Sequence, residues 1–108
     1  MLKPSSSWIV VALSLAATCV SAEEVFVKYR GPVSLDGFRC ATPESSFVHR
    51  ICYLAPRQYV VVLLGRTYYH YCRVPTDVVT DWLAADSKGR FYNAVVKGQF
   101  DCRQGGVP

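Results

Sequence analysis

From Phe47 onward the chain reads as three short apolar runs followed by two runs with helical spacing. "FVHRICYL" (47–54), "YVVVLL" (59–64) and "TYYHYCRV" (67–74) are rich in β-branched and aromatic residues and are separated by "APRQ" and "GR". Such runs with tight connections predict an antiparallel three-stranded meander, closed by Pro75. "PTDVVTDWLAA" (75–85) then places Val78, Val79, Trp82, Leu83 and Ala85 at helical spacing, with Asp77 near the positive N-terminal end. "DSKGRFYNAVVKGQF" (86–100) offers Asp86 or Ser87 as an N-cap, a face of Phe91, Tyr92, Val95 and Val96, and Gly98 as a stop. Strands followed by helices predict an α+β fold with both helices packed on one face of the meander.

Side chains alternate across a strand, so the meander sorts into two faces. One face carries Ile51, Tyr53, Val60, Val62, Leu64, Tyr69 and Tyr71, lacks charge, and is expected to meet the helices. The other carries Arg50, Cys52, Leu54, Tyr59, Val61, Leu63, Tyr68, His70 and Cys72. That second face is too apolar to stand in solvent. The segment around Phe38 to Cys40 and the tail around Cys102 are expected to fold over it.

The first residues change the picture of where the protein works. Lys3 precedes an apolar run of roughly 13 residues from Trp8 to Val20, and Val20-Ser21-Ala22 precedes Glu23-Glu24. This is the pattern of a secretory signal peptide cut after Ala22; the run is short of the ~20 residues that cross a bilayer. Residues 23–46 then form an N-terminal extension with turn formers at Gly31-Pro32, Asp36-Gly37 and Thr42-Pro43, and residues 47–108 form the domain with its tail. The expected location is periplasmic or secreted, with no membrane span after cleavage. Without Lys3, eleven of the twelve Lys and Arg face eight Asp and Glu, a net charge of +3. The basic residues are scattered, unlike the dense stripe of a dedicated nucleic-acid binder.

Cys40, Cys52, Cys72 and Cys102 in a short exported chain read as two disulfides. Their separations of 12, 20 and 30 residues contain no CxxC pair for zinc or redox chemistry. In the meander Cys52 and Cys72 lie two strand spacings apart, about 9–10 Å, beyond the ~7 Å that a bridge spans. Each is then expected to bond to Cys40 or Cys102, as 40–52 with 72–102 or as 40–72 with 52–102, the first being preferred. A sheet curled until its edges meet, or a β-strand order that pairs the first run with the third, permits 52–72 instead.

The segment from Ser45 to Phe100 resembles the KTSC domain, known as a C-terminal extension of some lysyl-tRNA synthetases and as a small stand-alone bacterial protein. The resemblance rests on "SSFVHRICY", on "YVVVLLG", on Tyr69-His70-Tyr71 with Val74-Pro75, and on "AADSKGRFYNAVVKGQF". It implies a small α+β domain. It also implies RNA as a partner, by association with a synthetase, but no set of catalytic residues. The leader, the extension and the four cysteines depart from a cytoplasmic RNA binder.

The chemistry-bearing residues point to no reaction. There is no glycine-rich phosphate loop, paired carboxylate or HExxH, and His49 and His70 fall on opposite faces, against a shared metal. No cofactor is expected. Tyr59, Tyr68 and His70 with Arg50, Arg57 and Arg73 would make a base-stacking platform only if the second face were open. Cys72 beside His70 would make a thiol nucleophile only if reduced. Ser87, Asn93 and Asp86 read as capping and turn residues. The expectation is a non-catalytic binding module for an unknown protein or small ligand, with a ligand-binding edge at His70, Arg73, Lys88, Arg90 and Asn93. The alternatives are a nucleic-acid-binding module and a thiol-dependent redox protein or enzyme.

Overall fold

The structure, a computed structural model, describes residues 23–103. Residues 1–22, with the expected leader, lie outside the described residues. The three expected strands are present as β4 (Val48–Leu54), β5 (Tyr59–Leu64) and β6 (Thr67–Tyr71), all antiparallel. The sheet they belong to is larger than a meander. Three strands from the extension, β1 (Glu24–Val27), β2 (Gly31–Ser34) and β3 (Arg39–Ala41), extend it to six in the order β2-β1-β6-β5-β4-β3. The pairing is mixed, because β1 runs parallel to β6 with Val27 opposite Tyr68. The reason is that a meander leaves β4 and β6 with unpaired backbone along their outer edges, and the extension supplies the missing partners.

The extension also covers the second face, as expected. Val25, Val27, Val33 and Leu35 pack with Cys52, Tyr59 and Val61 in one buried cluster. A hairpin at one end of the sheet reaches the face of β4 and β5 only if the sheet folds back over itself. Arg50 of β4 marks the fold, donating to both carboxylate oxygens of Glu23 at 2.7 and 2.9 Å and to the Tyr68 hydroxyl at 3.2 Å. A break in register between Val48 and Arg50 brings Val48 and Ile51 into the same cluster, two positions that strict alternation would separate, and leaves Arg50 to the other side.

On the first face α1 (Thr76–Ala84) and α2 (Lys88–Phe91) close a second cluster of Val48, Ile51, Val60, Val62, Trp82 and Tyr92. Ser87 caps α2, its Oγ accepting from Arg90 N at 3.2 Å. The expected helix over 86–100 is shorter, and it loosens into a π-helical turn at Tyr92–Val96, where Lys97 N donates to Tyr92 O. The wider turn buries Tyr92 and Val96 together. Trp82 has no exposure, stacks on Phe91 and Tyr92, and donates Nε1–H to Lys88 O at 3.1 Å, so one side chain joins the two helices to the core. Tyr53 ties the sheet to the start of α1 by donating to Val74 O at 2.6 Å.

Both disulfides follow the preferred pairing. Cys40 stands directly opposite Cys52 in the β3–β4 ladder and is bonded to it, and Cys72 is bonded to Cys102. Replacing Trp82 by Ala is expected to lower stability by about 3–5 kcal/mol, because a cavity forms at the centre of the helical layer. Leu83→Ala on the same helix, at a side chain 42% exposed, is expected to change it by less than about 1 kcal/mol. Urea unfolding of the two variants against the parent chain measures the contrast.

Candidate functional site

The residues of the expected ligand-binding edge fall into two groups. His70 leaves β6 toward the covered face, where its Nδ1 meets the Tyr59 hydroxyl at 2.8 Å and its ring lies edge-on to Tyr59 at 5.7 Å. Arg73, in a left-handed backbone at φ +58°, donates to the backbone oxygen of Asp101 at 3.1 Å. Lys88 belongs to the helical layer, its Nζ donating to Ala85 O. Arg90 and Asn93 are exposed on α2 and its π-helical turn. Among the described residues no hydrogen bond joins His70 and Arg73 to Lys88, Arg90 and Asn93.

The two more reactive readings of the second face meet a surface covered at Tyr59 and Cys72. Tyr59 is 3% exposed under Phe38 and the β1–β2 hairpin and is lost to a stacking platform, while Tyr68 and His70 are half-buried. Cys72, next to His70, is bonded to Cys102 and carries no thiolate. Burial pushes the Tyr59 hydroxyl up in pKa, against the pull of Arg30. Burial, and then the charge of Arg30, pushes the His70 imidazole below its usual value, with Asp101 opposing. On the helix side Tyr71 and Tyr92 share a hydroxyl–hydroxyl hydrogen bond, and burial together with that bond holds the Tyr71 proton firmly.

A different surface gathers charge. The parallel register of β1 and β6 sets the Lys28-Tyr29-Arg30 turn beside the end of β6, where Lys28 N donates to Tyr68 O at 2.9 Å. Lys28 Nζ lies 5.4 Å from the centre of the Tyr29 ring and 5.9 Å from that of Tyr69, within cation–π range of both. Arg30 is near enough for its charge to act on Tyr59 and His70, and Tyr29 near enough to act on Arg103. Arg103 holds Asp101 through two contacts from Nε at 3.1 and 3.0 Å, and that ion pair takes the Asp101 carboxyl down to about 2. Arg73 and Arg103 thus both contact Asp101, and Lys28 and Arg30 flank Tyr29 on the neighbouring turn. Tyr29 crowns this rim at 86% exposure. Sequence reasoning found His70 and Arg73 but not the other half, because a parallel partner for β6 supplied by residues 24–27 leaves no local signal. An open depression of about 630 Å³ lies elsewhere, between Ala41–Glu44 and Leu83–Lys88.

Residues 44–100 match the family model of the KTSC domain, more than half of the 108 residues. The chain belongs to the KTSC family. Its structure is similar to the crystal structure of the KTSC domain protein YPO2434 from Yersinia pestis, with a TM-score of 0.56 and 28% identity over 59% of this chain and 92% of that one. The comparison with curated proteins found no match. The KTSC segment contains β4 to α2, whereas β1, β2 and β3 precede it and Asp101 to Arg103 follow it. The rim is therefore built by the KTSC residues His70 and Arg73 together with flanking residues on both sides.

The lowered pKa of His70 has a consequence for stability. Above its ordinary value of 6.5 the imidazole is neutral in both folded and unfolded chains. Below that value the unfolded chain takes up a proton that the fold resists, so stability falls as pH drops from about 6.5 through the folded pKa. Urea midpoints between pH 7.5 and about 5 are expected to decline, and His70→Gln, which keeps an acceptor for Tyr59, is expected to flatten that decline.

Proposed function

We propose that this KTSC chain is an exported, disulfide-stapled, non-catalytic binding module that engages its ligand at the rim around Tyr29. The observation that carries the reading is the placement of the bridges. Each joins one cysteine inside the KTSC segment, Cys52 or Cys72, to one outside it, Cys40 or Cys102. Disulfides that fasten flanking segments to a domain belong to an oxidising compartment, and the leader pattern of residues 1–22 supports the same location. Among the described residues no helix is long and apolar enough to cross a membrane. The non-catalytic reading is supported by the consumption of the four cysteines in bridges and by the closure of His70 against Tyr59. It is supported as well by the exposed cations of the rim, Lys28, Arg30, Arg73 and Arg103, which suit binding.

Peptide mapping without reduction, on protein taken from the exported fraction, tests this. The expected result is a chain beginning at Glu23 with bridges 40–52 and 72–102. An uncut leader with four free thiols would place the protein in a reducing compartment and return RNA binding to the front.

A further inference from the structure

Phe26 and Tyr29, exposed by 71% and 86%, stand on one hairpin, β1–β2, whose outer strand is the free edge of the sheet. Tyr29 occupies its turn at φ +71°, a left-handed backbone that favours glycine or asparagine and that a bulky side chain adopts at a cost. The turn is closed by Arg30 N donating to Val27 O at 3.0 Å, so the backbone geometry that carries the ring outward is held by the ladder behind it. A ring kept in an unfavourable backbone state and almost wholly in water contributes nothing to the core. It is placed where something outside the domain can meet it.

The surroundings say what kind of surface that is. Lys28 lies within cation–π reach of the rings of Tyr29 and Tyr69, Arg30 follows Tyr29 in the turn, and Arg73 and Arg103 both contact Asp101. The acidic residues of the hairpin lie at its opposite end: Glu24 is paired with Ser34, and Glu23 is bound to Arg50. Asp101 is the carboxylate at the tip and is engaged by Arg103. The depression lined by residues 41–44 and 83–88 includes no residue of the hairpin. Side chains as exposed as Phe26 and Tyr29 suit a flat partner, whereas a single nucleic-acid strand wants a groove lined by successive rings. Aromatic rings that sit at headgroup depth, with cations at the phosphates, are the pattern of contact with an anionic bilayer.

We propose that the β1–β2 hairpin tip docks this domain on an anionic phospholipid surface, with Tyr29 and Phe26 entering the headgroup layer and Lys28, Arg30, Arg73 and Arg103 meeting the phosphates. The proposal rests on the binding-module reading and gives its ligand a chemical class. Each cation near an anionic surface strengthens partition roughly fivefold, so the tip as a whole binds reversibly and weakens as salt rises.

Co-sedimentation of the oxidised chain with vesicles tests it, using phosphatidylglycerol mixed with phosphatidylcholine against phosphatidylcholine alone. Binding is expected to the anionic vesicles, to fall steeply between low and physiological salt, and to drop by roughly 25-fold or more in a Lys28→Glu/Arg30→Glu variant. Tyr29→Gly is the decisive variant, since glycine suits the left-handed turn and the chain should unfold at an equal or higher urea concentration while losing most of its partition. Equal binding to both vesicle types, no binding to either, or full binding by the Tyr29→Gly chain would each overturn the proposal. So would displacement from the anionic vesicles by a single-stranded oligonucleotide that binds the parent chain more tightly, which would make the tip a nucleic-acid site. Vesicle binding is measured on purified protein and does not depend on export, so a failed docking result leaves the compartment reading standing, and the reverse also holds.

Discussion

Val60, Val61 and Val62 are consecutive in β5 and none has any exposure, although successive side chains of a strand point to opposite faces. The central strand must therefore be covered on both sides. Two helices supply one cover, through Trp82, Tyr92 and Val96, but a three-stranded sheet and two helices contain nothing to supply the other. The β1–β2 hairpin, folded back over β4 and β5, meets that need, and the remaining features of the structure follow from how it is held.

It is held in three ways that differ in chemistry. The parallel contact of Val27 with Tyr68 and the backbone bond from Lys28 make the hairpin part of the sheet. Arg50 clasps Glu23 across the covered face. The two disulfides fasten the flanks, Cys40 of β3 to the outer edge at β4 and Cys102 of the tail to the end of β6. The same arrangement sets the Lys28–Arg30 turn beside β6 and brings Arg103 to Asp101, whose backbone oxygen Arg73 holds. The surface proposed for binding is thus a product of the added segments, since the KTSC residues alone provide only Tyr69, His70 and Arg73 there.

Much of this was legible in the sequence wherever the signal was local. The runs at 47–54, 59–64 and 67–74 became β4, β5 and β6, and the two faces sorted by alternation correspond to the two buried clusters. Ser87 caps its helix, and the exclusion of a 52–72 bridge left two pairings, of which the preferred one is present, even though the sheet does fold back at its other end. The misses were non-local or depended on a break in period. The strands at 24–27, 31–34 and 39–41 are three or four residues long and punctuated by Gly31-Pro32, so they read as turns until β4 and β6 offer edges to complete. The irregularity at Val48–Arg50 and the π-helical turn at Tyr92–Val96 each shift a register by tertiary packing, which periodicity does not record. Tyr29 went unnoticed because its weight comes from a backbone angle and from neighbours more than 70 positions away in the chain, such as Arg103.

The central claim is that the extension is one cooperative unit with the KTSC core. Native-state hydrogen exchange tests it most directly, by comparing the amides of Lys28 and Leu35, bonded to Tyr68 O and Glu23 O, with those of Val61 and Val62 in β5. The account predicts that all four exchange through the same global unfolding, with a common free energy and a common dependence on denaturant. Exchange of Lys28 and Leu35 through a much cheaper local opening, while β5 stays protected, would show that the hairpin is an appendage and that the second face of the sheet is closed by something else.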